Sequence, residues 1–380
     1  MNVAFIAYEI AADKGGIESV SYSLAKAFPG YVDFHSYCGT DFKGSEKETI
    51  PNTYYSKSRN KVCLHLDLIR KCFSDYKRFR FDFTFTSHYA YSLPCLLLKK
   101  FKGVPYGILV HGLELLDEND SSSIFRKIYF AIKNYIRRAV IKSADIIFAN
   151  SHYTGEYVEK KYCNYNKRIV VIHPPIQYVD KNIRAEENVR SYKILSVGRL
   201  VERKGFQYVI DALKNLVIDI PELKYYIAGS GPYMTALKER VENNGLQNHV
   251  FFLGRVSEEE KDRLYRECDY FIMPSYMIED TGDFEGFGIV YIEANMYGKY
   301  VIATRSGGIP DAVCEGVTGS LVEAQNSESI YLKLKELYNE DFYPDRSKCI
   351  EWSKTMDANN IVKQYIDAIE DVLNNNEEDK

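Results

Sequence analysis

Short apolar, β-rich runs recur along this chain with longer helical patterns between them, and few folds accept that alternation. The runs are residues 3–9 (V-A-F-I-A-Y-E), 32–38, 81–87, 106–112 (Y-G-I-L-V-H-G), 145–151 and 169–175, then 192–199 (Y-K-I-L-S-V-G-R), 224–229, 250–255, 270–275, 299–304 and 319–323. A strand that is apolar at nearly every position must be covered on both faces, and strands separated by helices are joined by crossovers. The expected sheets are therefore parallel, with helices on either side. The series is broken once, by the polar stretch Gln177 to Ser191, which reads as a linker. At 380 residues the chain exceeds what one core usually fills. The expectation is α/β, with two Rossmann-like domains facing across a cleft, residues 1–180 and 190–355. After them, residues 356–373 read as an amphipathic helix with Ile361, Tyr365, Ile369 and either Val372 or Leu373 on one side. The tail 374–380, N-N-N-E-E-D-K, has nothing to bury and is expected to be disordered.

The bulk properties exclude several classes. With 46% hydrophobic and 27% charged residues the chain has an ordinary globular composition. No apolar run reaches the roughly 18 residues of a membrane span, and Met1 to Glu9 leads straight into a strand. Cysteines 38, 63, 72, 95, 163, 268, 314 and 349 are scattered, without a C-x-x-C pair, and read as reduced, mostly buried thiols of a cytoplasmic protein. The net charge of −4 hides an asymmetry: residues 1–180 carry 25 Lys/Arg against 18 Asp/Glu, and the remainder 24 against 35. Two segments concentrate the positive charge, Lys57 to Arg80 and Arg126 to Lys142, the second with no acid at all. Such segments are either solvated helix faces or surfaces that rest on anionic lipid or hold an acidic acceptor. The excess is modest and no nucleic-acid motif is present, so no nucleic-acid partner is expected.

In open parallel sheets, ligands bind beyond the carboxyl ends of the strands, and the unusual motifs all fall there. D-K-G-G-I-E follows the first run; Gly15 and Gly16 let backbone approach a ligand, although a plain turn has the same composition. G-R-L-V-E-R-K-G, Gly198 to Gly205, places Arg199 and Lys204 on one glycine-bounded loop, a fork and a point charge suited to a diphosphate. A-G-S-G-P, residues 228–232, invites a dinucleotide reading, but the fingerprint needs glycine where Met234 stands. His111 closes the run 106–112 and is either a donor at a reaction centre or a satisfied structural histidine. Last is D-F-E-G-F-G-I-V-Y-I-E-A-N, residues 283–295. The glycine-broken loop around Glu285, Gly286, Phe287 and Gly288 runs into a helix from Ile289 to Met296. Its N-terminus offers N–H groups to phosphate or sugar, and Glu293, two turns along, can accept from two vicinal hydroxyls such as a ribose carries. Glu285 would reach the other end of the same ligand.

Taken together, E-G-F-G-I-V-Y-I-E, the upstream G-R-L-V-E-R-K-G and P-S, and the following V-I-A-T-R-S-G-G-I-P-D-A-V resemble glycosyltransferase family 4. The likeness runs from G-G-I-E through V-H-G and A-N-S to G-V-T-G-S-L-V-E and is densest between 194 and 323. It implies the GT-B fold and a retaining, nucleotide-sugar-dependent transferase without cofactor or bound metal; D-T-G-D at 280–283 is not a D-x-D triplet. By that resemblance Arg199 and Lys204 hold the donor diphosphate, Glu293 the ribose, and Glu285 with the Phe287–Ile289 backbone the transferred sugar. His111 contacts the sugar at the reaction centre, and Gly15 and Gly16 form the amino-domain loop against the phosphates. The base is read by backbone and by loops such as Gly254–Val256, with Arg255 and Val256, which leaves UDP and GDP open. The C-terminal helix would cross back to the first domain.

One departure is the lengthened approach Y-M-I-E-D-T-G-D-F, residues 276–284, whose Glu279, Asp280 and Asp283 either touch donor or acceptor or are solvated. Relatives with G-D-x-E-G carry a similar insert, which leans the donor towards mannosyl. The acceptor is expected on the first domain, as a saccharide or lipid-linked saccharide in cell-surface polysaccharide assembly, with the basic helices open to peripheral membrane contact. The competing readings are a sugar-nucleotide epimerase on the same fold and a catalytically silent subunit.

Overall fold

Each of the apolar runs overlaps a strand, and every pairing between those strands is parallel. The computed structural model describes residues 1–11, 15–39, 50–58, 60–116, 123–162, 168–181, 190–339, 342 and 344–378. Its chain divides into two units, Met1–Gln177 with Met356–Lys380, and Tyr178–Thr355. Among the described residues the first unit holds β1 (Asn2–Ala7), β2 (Asp33–Cys38), β3 (Thr53–Tyr55), β4 (Phe83–Thr86), β5 (Tyr106–Val110), β6 (Ile146–Ala149) and β7 (Arg168–Val171). They lie in the order β3-β2-β1-β4-β5-β6-β7. Helices α1 (Gly16–Ala27), α2 (Lys61–Phe79), α3 (Leu93–Lys102), α4 (Ile124–Ser143) and α5 (His152–Lys161) follow β1, β3, β4, β5 and β6. Chain connections run outward in opposite directions from β1 and β4, so the carboxyl ends of those two strands flank the switch point of this sheet.

The second unit repeats the plan with β8 (Lys193–Val197), β9 (Lys224–Ala228), β10 (Val250–Gly254), β11 (Tyr270–Ile272), β12 (Tyr300–Thr304) and β13 (Gly319–Val322). The order is β10-β9-β8-β11-β12-β13, with its switch point between β8 and β11. Around it lie α6 (Phe206–Asp219), α7 (Met234–Asn243), α8 (Glu258–Glu267), α9 (Ile289–Met296), α10 (Ile309–Ala312), α11 (Ser327–Asn339) and α12 (Arg346–Thr355). On α6 the buried Phe206, Val209, Ile210, Leu213 and Leu216 repeat at helical spacing and close over Ile194, Tyr225 and Ile272 of the sheet.

The C-terminal α13 (Ala358–Glu378) belongs to the first unit. Ile176 is bonded on either side of Asp357 at its start: the Ile176 N–H donates to the Met356 carbonyl and the Ala358 N–H to the Ile176 carbonyl, each at 2.9 Å. Ile361, Tyr365 and Ile369 are buried, and of the two candidates for the end of that face it is Val372 that is buried. The Tyr365 ring packs 4.8 Å from Phe148 and 6.1 Å from Phe28, centre to centre. Two features differ from expectation. β3 was not anticipated: it is a three-residue edge strand, half-buried, paired through Ser36 and Thr53, and too short to show a period. The tail does not end the helix at Leu373, because α13 continues through Glu378. An established helix adds one backbone hydrogen bond per residue and so can run on past its last apolar position; Asp379 and Lys380 lie outside the described residues. Cys38, Cys72, Cys95, Cys268 and Cys349 are buried and Cys63 is exposed. Cys163 and residues 182–189 of the expected linker lie outside the described residues, as do Asp13 and Lys14 of the first motif and Arg59 of the first basic segment.

Because Tyr365 is sealed among aromatic rings of the first unit's core, Tyr365→Ala leaves a cavity there. The expected loss is about 3–5 kcal/mol, read as a fall in the urea midpoint of that unit. A change under about 0.5 kcal/mol would mean that α13 adds little to its stability.

Candidate active site

In the second unit the two loops at the switch point bring opposite charges together. The loop after β8 carries Glu202, Arg203 and Lys204 in a single tight turn closed by Gly205. Gly205 sits at φ 77°, and a Cβ there would lie 2.1 Å from the carbonyl oxygen of Pro274, so only glycine lets α6 start this close to the chain after β11. That second segment is pinned to the first by the Tyr276 N–H, which donates to the Arg203 carbonyl at 2.8 Å. The insert 276–284 then folds back on itself through an antiparallel bridge between Ile278 and Asp283. It returns the chain to Glu285.

Glu285 meets two cations. Lys204 Nζ lies 2.5 Å and Arg203 Nη1 2.7 Å from its Oε2, while Arg203 Nε lies 3.0 Å from Asp283 Oδ1. All three principal side chains are nearly buried, at 12–14% exposure, so the attraction is little screened. Burial alone would raise the carboxyl of Glu285, yet Lys204 and Arg203 hold it down to about 2. Burial moves Lys204 the other way, below the ordinary ammonium value, and Glu285 only partly restores it. Asp283 is raised, by burial first, with Arg203 opposing.

Two turns along α9, Glu293 has a separate set of partners. Tyr265 Oη donates to its Oε2 at 3.1 Å, and Lys261 Nζ lies 3.8 Å from its Oε1 while also pairing with Glu258 at 2.8 Å. Lys261 and Tyr265 stand four residues apart on α8, whose start is fixed by Ser257 and Glu260 in a reciprocal cap. Gly286, Phe287 and Gly288 lead into α9, and the side chain of Tyr291 anchors its first turn by donating to the Met273 carbonyl at 2.6 Å. Ile289 begins the helix, as anticipated.

The remaining predicted residues are placed as follows. Arg199 is exposed on the loop after β8, apart from the Lys204 and Arg203 pairs to Glu285. Gly198 is half-buried and donates its N–H to Ala228 at 2.9 Å. Two close approaches explain the glycines of A-G-S-G-P: a Cβ on Gly229 would lie 1.8 Å from the Gly198 carbonyl oxygen, and one on Gly231 would lie 2.2 Å from that of Leu200. Arg255 reaches across to the same turn, Nε donating to Ser230 Oγ at 3.1 Å, with Val256 half-buried beside it. In the first unit His111 is half-buried after β5; its Nε2 lies 3.1 Å from the Ser87 carbonyl, which makes Nε2 the donor. Gly15 caps α1 and Gly16 opens it.

Arg203, Lys261 and Tyr265 were not singled out from the sequence. Arg203 had a signal, a second cation beside Lys204 with acids two residues apart at 283 and 285. Lys261 and Tyr265 had none, since only the fold carries α8 to α9.

Two family models match the chain in succession: Glycosyltransferase Family 4 over residues 14–178 and Glycosyl transferases group 1 over residues 179–356. The chain belongs to this family of GT-B glycosyltransferases. An uncharacterized glycosyltransferase of Methanocaldococcus jannaschii is 30% identical over 258 residues, 67% of this chain and 65% of that protein. The GDP-mannose-dependent alpha-(1-6)-phosphatidylinositol monomannoside mannosyltransferase of Mycolicibacterium smegmatis is 35% identical over 144 residues, 38% of each chain. The match thus spans under two thirds of the length of either relative. In fold, the chain is similar to Anabaena HepE in complex with UDP, at a TM-score of 0.71 and 18% identity over 98% of this chain and 100% of that one.

The depressed carboxyl of Glu285 sets an acid limit. Its ionised form is favoured by the fold, so the contribution is complete above the ordinary value of 4.5 and is lost as pH falls towards about 2. Glu285→Gln should therefore lower stability at pH 7 by about 3 kcal/mol, and the gap to the native protein should close as pH is lowered below 4. Denaturant midpoints of both proteins across that range check it; a gap independent of pH would remove the ion cluster as its cause.

Proposed function

We propose that the chain moves a hexosyl group from a nucleoside-diphosphate sugar to a saccharide or lipid-linked saccharide acceptor, with retention of anomeric configuration. The observation that carries this reading is the Lys204–Glu285–Arg203 cluster at the switch point of the second unit, two turns before Glu293 on α9. Lys204 and Arg199 are assigned to the donor diphosphate, Glu293 to the ribose hydroxyls, and Glu285 with the Phe287–Ile289 backbone to the transferred sugar. Arg203 acts through Glu285 and Asp283, holding the carboxylate in place when Lys204 turns to phosphate. Gly15, Gly16 and His111 of the first unit, and the Gly254–Val256 loop of the second, are proposed contacts of the same donor.

In the proposed step the bond from the anomeric carbon to the leaving phosphate oxygen breaks, and the bond to the acceptor oxygen forms on the same face. The acceptor proton passes to the departing phosphate oxygen, so no side-chain nucleophile is required. Charge on the diphosphate is met by Lys204, Arg199 and the α9 N-terminus, with no resident metal or cofactor assigned to it. A mannosyl donor is favoured by the G-D-F-E-G sequence and by the likeness to a GDP-mannose-dependent relative. Assembly of cell-surface polysaccharide or glycolipid is the proposed setting.

Lys204→Ala should lower kcat by about 10²–10³-fold, as expected for loss of one preorganised electrostatic partner. Proton NMR of the product formed by the native protein should show the anomeric configuration of the donor from the first time point. An inverted product would overturn the retaining mechanism, and donor turnover without acceptor would point to an epimerase.

A further inference from the structure

Helix α4 is built the wrong way round for a helix that only covers a sheet. Ile124, Phe125, Ile128, Tyr129, Ile132, Tyr135 and Ile136 are all exposed, Phe125 at 81% and Tyr135 at 74%. At 3.6 residues per turn these seven side chains fall within an arc of about 140°. The inward arc carries Phe130, Lys133, Asn134, Arg137, Val140 and Ile141. Its rotation is fixed by the fully buried Arg137, which donates to the carbonyls of Glu114 and Leu116 and to Asn134 Oδ1 and lies over the Tyr89 ring. Turning the apolar face inward would expose Phe130, Val140 and Ile141 and strip a buried guanidinium of its partners. The outward face is therefore a fixed property of the fold. Single exposed apolar residues are ordinary, but a contiguous stripe along one helix is not.

Charge identifies what covers it. The helix has no Asp or Glu; Lys127, Arg138 and Lys142 border one edge of the arc and Arg126 the other, all exposed. We infer that α4 lies in the interface of an anionic lipid surface, its apolar arc in the acyl boundary and its basic edges at the headgroups. Among the described residues no helix is long and apolar enough to cross a membrane, so the contact is peripheral. A second copy meeting this face isologously would set the basic edges of two helices against each other with no acid on either to pair them. This inference goes beyond the transfer reaction and uses none of the residues assigned to it.

The test is flotation of the full chain with vesicles of phosphatidylcholine alone and of phosphatidylcholine with phosphatidylglycerol. The native chain should float with the anionic vesicles and much less with the neutral ones, and added salt should weaken the binding. Phe125→Ser with Ile128→Ser and Ile132→Ser should lose at least about tenfold in partitioning to both, with unchanged thermal unfolding because all three side chains are exposed. Lys127→Glu with Lys142→Glu should lose at least about tenfold on anionic vesicles only. Absence of flotation with either vesicle, or flotation of the triple variant equal to the native chain, would overturn the proposal. So would a dimer in sedimentation that the triple variant converts to monomer. The readout needs no turnover and no donor, so its failure and failure of the transferase reading are separable.

Discussion

A buried carboxylate cannot stay ionised alone, and the geometry around Glu285 follows from that constraint. Removing one charge from water costs several kcal/mol even after relaxation, and it is offset only by cations with good geometry. Arg203 and Lys204 supply them from the neighbouring loop, each within hydrogen-bonding distance of the same oxygen. To place them there, the chain must turn sharply after β8 and pass within van der Waals contact of the segment after β11. Gly205 permits that approach, and the backbone bond from Tyr276 to Arg203 holds it. The carboxylate, the two cations and the glycine form one interdependent unit. It sits where parallel sheets of this topology leave a crevice.

The cluster also has a consequence for binding. With Lys204 and Arg203 both paired to Glu285, the diphosphate of the proposed donor would meet the exposed Arg199 directly but would have to draw Lys204 from its carboxylate. In the proposed function the planar, two-edged guanidinium of Arg203 stays on Glu285 and Asp283 while the single-point ammonium of Lys204 moves to phosphate. That division gives two adjacent cations different tasks. Glu293 is held differently, by a phenol and a longer ion pair, which leaves lone pairs on its oxygens for hydroxyl donors.

Much of this was legible in the chain. Apolar runs nearly free of polar positions announced parallel, doubly covered sheets, and Ile289 to Met296 was readable as a helix because Ile289, Ile292 and Met296 repeat at its period. What failed to show was either too short to carry a period or tertiary in origin. β3 spans three residues at a sheet edge. Tyr265 and Lys261 become neighbours of Glu293 only when α8 packs near α9. Nor does the run A-G-S-G-P show why Gly229 must be glycine, since the reason is the backbone of Gly198 pressing against it. The reach of α13 beyond Leu373 was not legible either, because composition speaks to burial and not to how far a helical backbone runs on.

The central claim is that the second unit holds a nucleoside diphosphate with its ribose on Glu293. It is tested most directly by thermal unfolding with GDP and with UDP, on the native chain and on Glu293→Ala. A nucleotide at about 100 times its dissociation constant adds about 2.7 kcal/mol, a shift of several degrees. The account predicts that shift with one of the two nucleotides and its loss in Glu293→Ala. No shift with either nucleotide at millimolar concentration, or a shift that survives the substitution unchanged, would contradict it.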